Sequence, residues 1–317
     1  MFSVKCQSKA RLDDKVAVIT GCNTGIGKIT AREFYKLGAK VIMACRDVNK
    51  AKQAVDDIVG EVKGEKLGQL VVEELDLSSF ASIKRCAKRI LEKETQINLL
   101  VNNAGVMMCP KSKTKEDFET HFGVNHMGHF LLTLLLLPKI LNSAPARIVN
   151  VGSLAHIFGN INFDDINYEK RTYFSAFAYC QSKLANVLFS KELANRLKGT
   201  GVNVYCLHPG VINTDLGRTV DQVFFPGTWF LFKIFSYPIM KSPEQGAQTT
   251  LHCAIDETAG EQTGLYYSDC KVKSPSGRAR DPELAKKFWE KSIEMAGLAD
   301  YDMFKASDTI PEPLRDV

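Results

Sequence analysis

Tyr179 and Lys183 stand four residues apart in Ser175–Leu197, a stretch whose pattern predicts a helix, so both side chains leave one face of it. An ammonium near a phenol stabilises the phenolate and lowers its pKa, which makes proton exchange with a substrate oxygen feasible near neutral pH. A Tyr-x-x-x-Lys pair alone is common and mostly structural; it gains weight from its company. Ser153 follows the apolar run Arg147–Val151 through Gly152, which predicts a hydroxyl at the carboxyl edge of a sheet, able to donate to a reacting carbonyl. Asn125 interrupts an otherwise apolar helical pattern, where a buried amide either makes a structural bond or belongs to a proton path.

A second group of residues suits a polyanion. Thr20-Gly-Cys-Asn-Thr-Gly-Ile-Gly27 follows an apolar run and opens a helix. Gly21, Gly25 and Gly27 permit a tight turn and close backbone approach to a pyrophosphate seated on free helix N–H groups. A nicotinamide dinucleotide is therefore the expected cofactor. NAD-binding folds of this kind place a carboxylate at the end of the second strand, on the adenosine ribose. Ala44-Cys45-Arg46 stands there instead, and a guanidinium pairs with a 2′-phosphate, so the site is expected to prefer NADP(H). The plainer alternative has Arg46 solvating a strand end and Asp47 contacting the ribose. Lys28 is a second phosphate candidate, or simply a solvated helix residue.

The elements that must position these groups alternate regularly. Val16–Thr20, Lys40–Ala44, Gln69–Leu75, Asn98–Val101, Arg147–Val151 and Val202–Leu207 read as strands, separated by helix-length segments. Near-continuous apolar strands joined by crossover helices predict an α/β fold, one doubly wound parallel sheet of Rossmann type with helices on both faces. With no repeat or linker, a single domain over 15–305 is expected, preceded by a basic segment 1–14 and followed by a mobile tail 306–317. Leu131–Leu137, in a helical pattern starting near Glu116, is too short to span a bilayer and reads as a buried helix segment. The stretch 224–240 has seven aromatics among its seventeen residues and one charge, Lys233. It reads either as a flap over the active site or as a surface that dips into a membrane interface, and both favour a greasy substrate.

Bulk properties exclude several classes. A net charge of +5, evenly interspersed, with no aromatic-basic module, argues against nucleic-acid binding. Nine cysteines without a CxxC pair point to reduced thiols, and Met1–Lys15 lacks the apolar core of a signal peptide or anchor, so a cytoplasmic location is expected. His126 and His129 lack the partners of a metal site and read as packing residues; no metal is expected. His156 reads either as a pocket or as a loop residue. Cys109 and Cys180 lack a nearby base in sequence and read as structural.

Together with Asn102-Asn-Ala-Gly105, these motifs resemble the short-chain dehydrogenase/reductase family, whose Thr-Gly-x-x-x-Gly-x-Gly, Asn-Asn-Ala-Gly, Ser and Tyr-x-x-x-Lys occur here in order, over residues 15 to about 270. The resemblance implies that Tyr179 is the general acid in reduction and base in oxidation. It implies that Lys183 also holds the nicotinamide ribose, that Ser153 orients the substrate oxygen and that Asn125 supports a water-linked proton relay. It assigns Asn23, Thr24 and Ile26 with the glycines to the cofactor turn, Asp76 and Leu77 to the adenine region, and Asn102, Ala104 and Gly105 to the cofactor floor. Pro209, Gly210, Val211 and Thr214 fall at the nicotinamide end. Met43–Val48, Asn102–Pro110, Gly123–Leu132, Phe177–Leu188, Ala247–Cys253 and Tyr267–Cys270 look more narrowly like the retinol dehydrogenase 11/12/13 group. That likeness implies an NADP(H)-linked enzyme acting on all-trans retinal or retinol, with net reduction expected in a cell. Reduction of farnesal, steroids or lipid-derived aldehydes is the nearest alternative, and a non-catalytic nicotinamide sensor a remote one. Several members carry an amino-terminal membrane helix that this sequence lacks, which leaves 224–240 as the expected peripheral contact with the endoplasmic reticulum. A homodimer through the helix ending at Leu141 and the helix of Tyr179 is expected by resemblance only.

Overall fold

The computed structural model describes residues 4–212, 220–223, 240–307 and 309–314. Among the described residues, eight strands form one sheet in the order β3-β2-β1-β4-β5-β6-β7-β8. They are β1 (Val16–Thr20), β2 (Lys40–Cys45), β3 (Gln69–Glu74), β4 (Leu99–Asn102), β5 (Ala146–Val151), β6 (Val202–His208), β7 (Leu265–Ser268) and β8 (Lys271–Lys273). The first seven run parallel; Val18, for example, lies opposite Ile42 on one side and Leu100 on the other. The six strands read from the sequence are all present, with ends shifted by a residue. The doubly wound α/β sheet is as expected, except at one edge. There β7 and β8 form an antiparallel hairpin whose turn residues, Asp269 and Cys270, both have positive φ (53° and 54°). Such a turn favours Asn-Gly, so Asp-Cys gives no hairpin signal.

The larger crossover helices are α1 (Gly25–Lys36), α2 (Val48–Glu61), α3 (Phe80–Lys93), the short α4 (Thr120–Phe122), α5 (Gly128–Asn142) and α6 (Ser175–Arg196). Two more, α7 (Pro243–Ile255) and α8 (Pro282–Ala296), follow β6. Successive strand residues point to opposite faces. Val16 and Val18 enter a core with α3, α5 and α6, whereas Ala17 and Ile19 enter a second core with α1, α2 and α7. The helix expected from Glu116 begins later. Asp117 adopts a positive φ of 63°, and the Glu119 carboxylate caps the helix, accepting the N–H groups of His121 and Phe122 at 3.0 and 2.9 Å. A π-turn, Gly123–Met127, then leads into α5.

Every residue of α5 from Gly128 to Ile140 is buried. A helix apolar on all sides needs cover on all sides, and the chain supplies it. The sheet lies beneath, and α8 packs outside α6, where Phe288 and Trp289 meet His126, Phe130 and Phe189. The Thr120–Asn142 stretch is apolar and long enough to cross a bilayer, but 89% of that window is buried inside the protein, which makes it core. Toward the carboxyl end, Ser307 N–H bonds the Pro138 carbonyl, and Leu314, fully buried, joins the same core. The amino-terminal segment is also attached, Ser8 donating to the Ile255 carbonyl at 3.1 Å. The stretch 224–240, apart from Met240, and Thr214 lie outside the described residues.

Candidate active site

Strand order reverses between β1 and β4, both leaving the sheet at its carboxyl edge, and that switch point is where ligands bind in open α/β sheets. On the β1 side, Gly21 turns with φ +61°, and a Cβ there would come within 2.7 Å of the Ala104 Cβ. A Cβ on Gly27 would lie 2.5 Å from Asn103 Nδ2 and 2.7 Å from the Gly21 carbonyl oxygen. Only glycine fits either place. Asn23, Thr24, Gly25 and Ile26 complete the turn, and Thr24, the N-cap of α1, makes no side-chain bond to the first amides, nor does an acidic residue occupy the first turn. The helix therefore presents unclaimed N–H groups and a positive dipole end across a glycine cradle, the donor set that a dinucleotide diphosphate requires. The residues present fit a nicotinamide dinucleotide.

Beside that cradle lie the candidates for the adenosine ribose and its phosphate. Asp47 caps α2 through Lys50 N–H at 3.0 Å, and Lys28 pairs with Asp57 at 2.6 Å. Arg46, exposed at the end of β2, makes no ion pair among the described residues and stays open to a phosphate. Asp76 accepts the Ser78 N–H and hydroxyl at 3.0 and 2.7 Å, and Leu77 is buried against Gly128. The Asn102 side-chain amide donates to Thr133 Oγ1 and Asn150 Oδ1 at 2.9 and 2.7 Å, which leaves its backbone as the part that can face the cofactor floor. Asn103, passed over in the sequence, braces the loop by donating to the carbonyls of Thr20 and Gly21 at 2.9 and 3.1 Å.

Across the switch point, Tyr179 and Lys183 project from α6 toward Ser153, which caps a 3₁₀ turn, Leu154–Phe158, after β5. The Ser153 hydroxyl lies close enough to the Tyr179 phenol to favour its ionised form. Lys183 Nζ donates to the Val151 carbonyl at 3.0 Å and lies 5.7 Å from the Tyr179 ring centre. Burial pushes the Tyr179 phenol up to about 12 against the lowering effect of Ser153, and burial pulls the Lys183 ammonium down to about 8. The lowering of the phenol expected from Lys183 does not emerge: loss of hydration dominates and disfavours phenolate and ammonium alike. Asn125 sits in the π-turn. Its Oδ1 accepts Val106 N–H at 2.8 Å, and its Nδ2 donates to the Val106 carbonyl and Ser182 Oγ, both at 3.0 Å. Gly105 fills the gap between them, since a Cβ there would be 3.3 Å from Asn125 Oδ1 and 3.8 Å from Lys183 Nζ.

The surrounding shell holds further residues. His156 is buried; Nε2 accepts Ser276 N–H at 3.2 Å, so Nδ1–H donates to the Ser153 carbonyl at 2.8 Å, which makes it a support for Ser153. Glu119 and His121, buried and 2.7 Å apart, stand behind Tyr179, with the rings of His121 and Tyr179 at 6.1 Å. Tyr173 and Ser175 donate to the Cys109 carbonyl at 3.1 and 2.8 Å, pinning the loop after β4. No sequence spacing marked these contacts. Pro209, Gly210 (φ +106°) and Val211 leave β6 at the same edge, where Val211 accepts the Lys241 N–H at 2.8 Å and Lys241 pairs with Asp269.

A family model described as short chain dehydrogenase matches residues 15–223. The chain belongs to the short-chain dehydrogenase family. Within it, the chain falls in the retinol dehydrogenase 11/12/13 group. It is 50% identical to retinol dehydrogenase 12 of Mus musculus over 92% of this chain and 90% of that protein. It is 48% identical to retinol dehydrogenase 11 of Homo sapiens, over 92% and 89%. Among solved structures, an uncharacterized protein from Mycobacterium Paratuberculosis superposes with a TM-score of 0.73 at 31% identity, covering 93% of this chain and 98% of that one. The Pseudomonas aeruginosa RhlG/NADP active-site complex superposes with a TM-score of 0.62 at 25% identity, covering 81% and 94%.

Proposed function

We propose that this member of the family is an NADP(H)-dependent oxidoreductase interconverting retinal and retinol, with reduction favoured. The observation that carries the reading is the convergence of Ser153, Tyr179 and Lys183 on one side of the switch point and an uncapped helix behind a glycine cradle on the other. Arg46, which makes no ion pair among the described residues, favours the 2′-phosphorylated cofactor. The retinoid assignment draws on the names of the relatives and on the apolar surroundings, where Leu154, Ile157, Phe158, Phe174 and Phe177 are all exposed.

A bound nicotinamide supplies the hydride in reduction and takes it up in oxidation. The chain's own groups handle the oxygen. Ser153 orients it, and Tyr179 Oη, held neutral by burial, carries the proton that the nascent alkoxide needs. Lys183 brings positive charge to the same spot, and Asn125 keeps α6 and the loop after β4 in register around it. Peripheral membrane contact through 224–240 suits a substrate drawn from lipid. A homodimer through α5 and α6 is part of the same reading, although most residues of both helices are buried within the chain.

Steady-state oxidation of NADPH and, separately, NADH, with all-trans retinal, farnesal, a medium-chain aldehyde and a ketosteroid, tests each part. NADPH-dependent turnover of retinal at the highest kcat/KM supports the proposal. Turnover confined to another carbonyl keeps the chemistry and removes the retinoid, and preference for NADH removes the role of Arg46.

A further inference from the structure

We propose that His129 is a positioning residue that ties the floor of the cofactor cleft to the backbone of Asn125, so that glycine loop and proton-transfer end are held in one fixed relation. This rests on the oxidoreductase reading above.

Thr20 Oγ1 accepts the N–H groups of Asn103 and Ala104, both at 2.9 Å, which uses both of its lone pairs. Its own hydrogen is left to point at His129 Nε2, 2.9 Å away. Nε2 is then an acceptor, so the proton of the neutral ring resides on Nδ1, which donates to the Asn125 carbonyl at 3.0 Å. The opposite tautomer would set Nε2–H against an oxygen with no free lone pair and would face two acceptors together at the other end. The ring is almost completely buried, and burial, helped by the nearby Lys183, pulls its pKa down to about 4, consistent with a neutral imidazole. Directed bonds thus run from the Asn-Asn-Ala-Gly amides through Thr20 and His129 to Asn125. The π-turn contributes, because its bonds skip to the fifth residue, as from Gly128 N–H to the Gly123 carbonyl, and loosen the regular ladder around Asn125. His126, one turn earlier, differs: it bonds Ser292 at 3.1 Å and packs among Phe122, Phe130, Phe189 and Phe288.

Two substitutions divide the ring's duties. His129→Asn places an amide N–H where Nδ1 was and abandons Thr20; His129→Gln reaches Thr20 and abandons the Asn125 carbonyl. With NADPH affinity read by fluorescence without substrate and turnover read separately, His129→Asn is expected to raise the NADPH Kd about tenfold while keeping kcat and its pH profile. His129→Gln is expected to keep Kd, lower kcat about tenfold and displace the pH profile. Identical behaviour of the two variants in Kd, kcat and pH profile, with only Tm lowered, would overturn the proposal. Nitrogen NMR of His129 in the unmodified protein needs no variant: an Nδ1–H tautomer whose shifts move on adding NADPH is expected, and an Nε2–H tautomer would overturn the proposal. Wild-type protein that binds neither NADPH nor NADH retires the oxidoreductase reading along with it, whereas wild type that binds and turns over beside indifferent variants retires His129 alone.

Discussion

The two sides of the switch point are built from different materials. On the β1 side the site is backbone: a positive φ at Gly21, a missing Cβ at Gly27 and open amides at the start of α1. On the β5 side it is side chain: Ser153, Tyr179 and Lys183, whose aim depends on α6 and on what packs around α6. The backbone half is drawn mainly from one short segment, Gly21–Gly27, braced from β4 by Asn103 and Ala104. The side-chain half depends on distant packing, because α6 holds its place between the sheet and α8. The first binds a constant part common to many reactions, and the second decides which proton moves.

Substitutions sharpen the contrast. Tyr179→Phe removes the acid and leaves the cradle intact, so kcat should fall by roughly 10²–10⁴-fold while NADPH binding persists; turnover near wild type would break the assignment. Phe288→Ala attacks the support instead. Phe288 is fully buried against Phe122 and His126, and its truncation should cost about 3–5 kcal/mol of stability in a denaturant titration. A loss under about 1 kcal/mol would show that α6 does not need its outer cover. Arg46→Glu acts on the backbone half alone, lowering the preference for NADPH over NADH by at least about tenfold with kcat for the favoured cofactor retained; an unchanged ratio would assign the 2′-phosphate elsewhere. The smallest effect is in pH. With the Lys183 pKa pulled down to about 8, its positive charge is present below that value and lost above it. The rate of reduction should therefore decline as pH rises through about 8, and a flat profile from pH 7 to 9 would remove Lys183's charge from the mechanism.

Much of this was legible in the sequence because the information is short-range. Glycine spacing, the apolar strand rhythm and the i, i+4 pair on α6 each report a local geometry that survives into the structure. What stayed hidden is long-range. Asn103 and Thr20 meet across 83 positions, His156 finds Ser276 across 120, and the Glu119–His121 pair reaches Tyr179 through the fold. Asn102 shows the converse: its motif is real, but strand alternation turns its side chain into the core while its neighbour Asn103 serves the loop. The β7–β8 hairpin was silent because its strands are four and three residues long and its turn lacks glycine. The last residues looked solvated by composition, yet Leu314 found a place in the core.

That place has a consequence for biosynthesis. A nascent chain leaves the ribosome amino end first, so the glycine cradle, β1 and β2 can assemble early, whereas α5 cannot be fully sheltered until α8 and Leu314 have emerged. During that interval Leu131–Leu137 is exposed apolar surface at risk of association with other chains. Any partner that shields nascent apolar helices should therefore have its greatest effect on this protein late in translation, after the cofactor half has already formed.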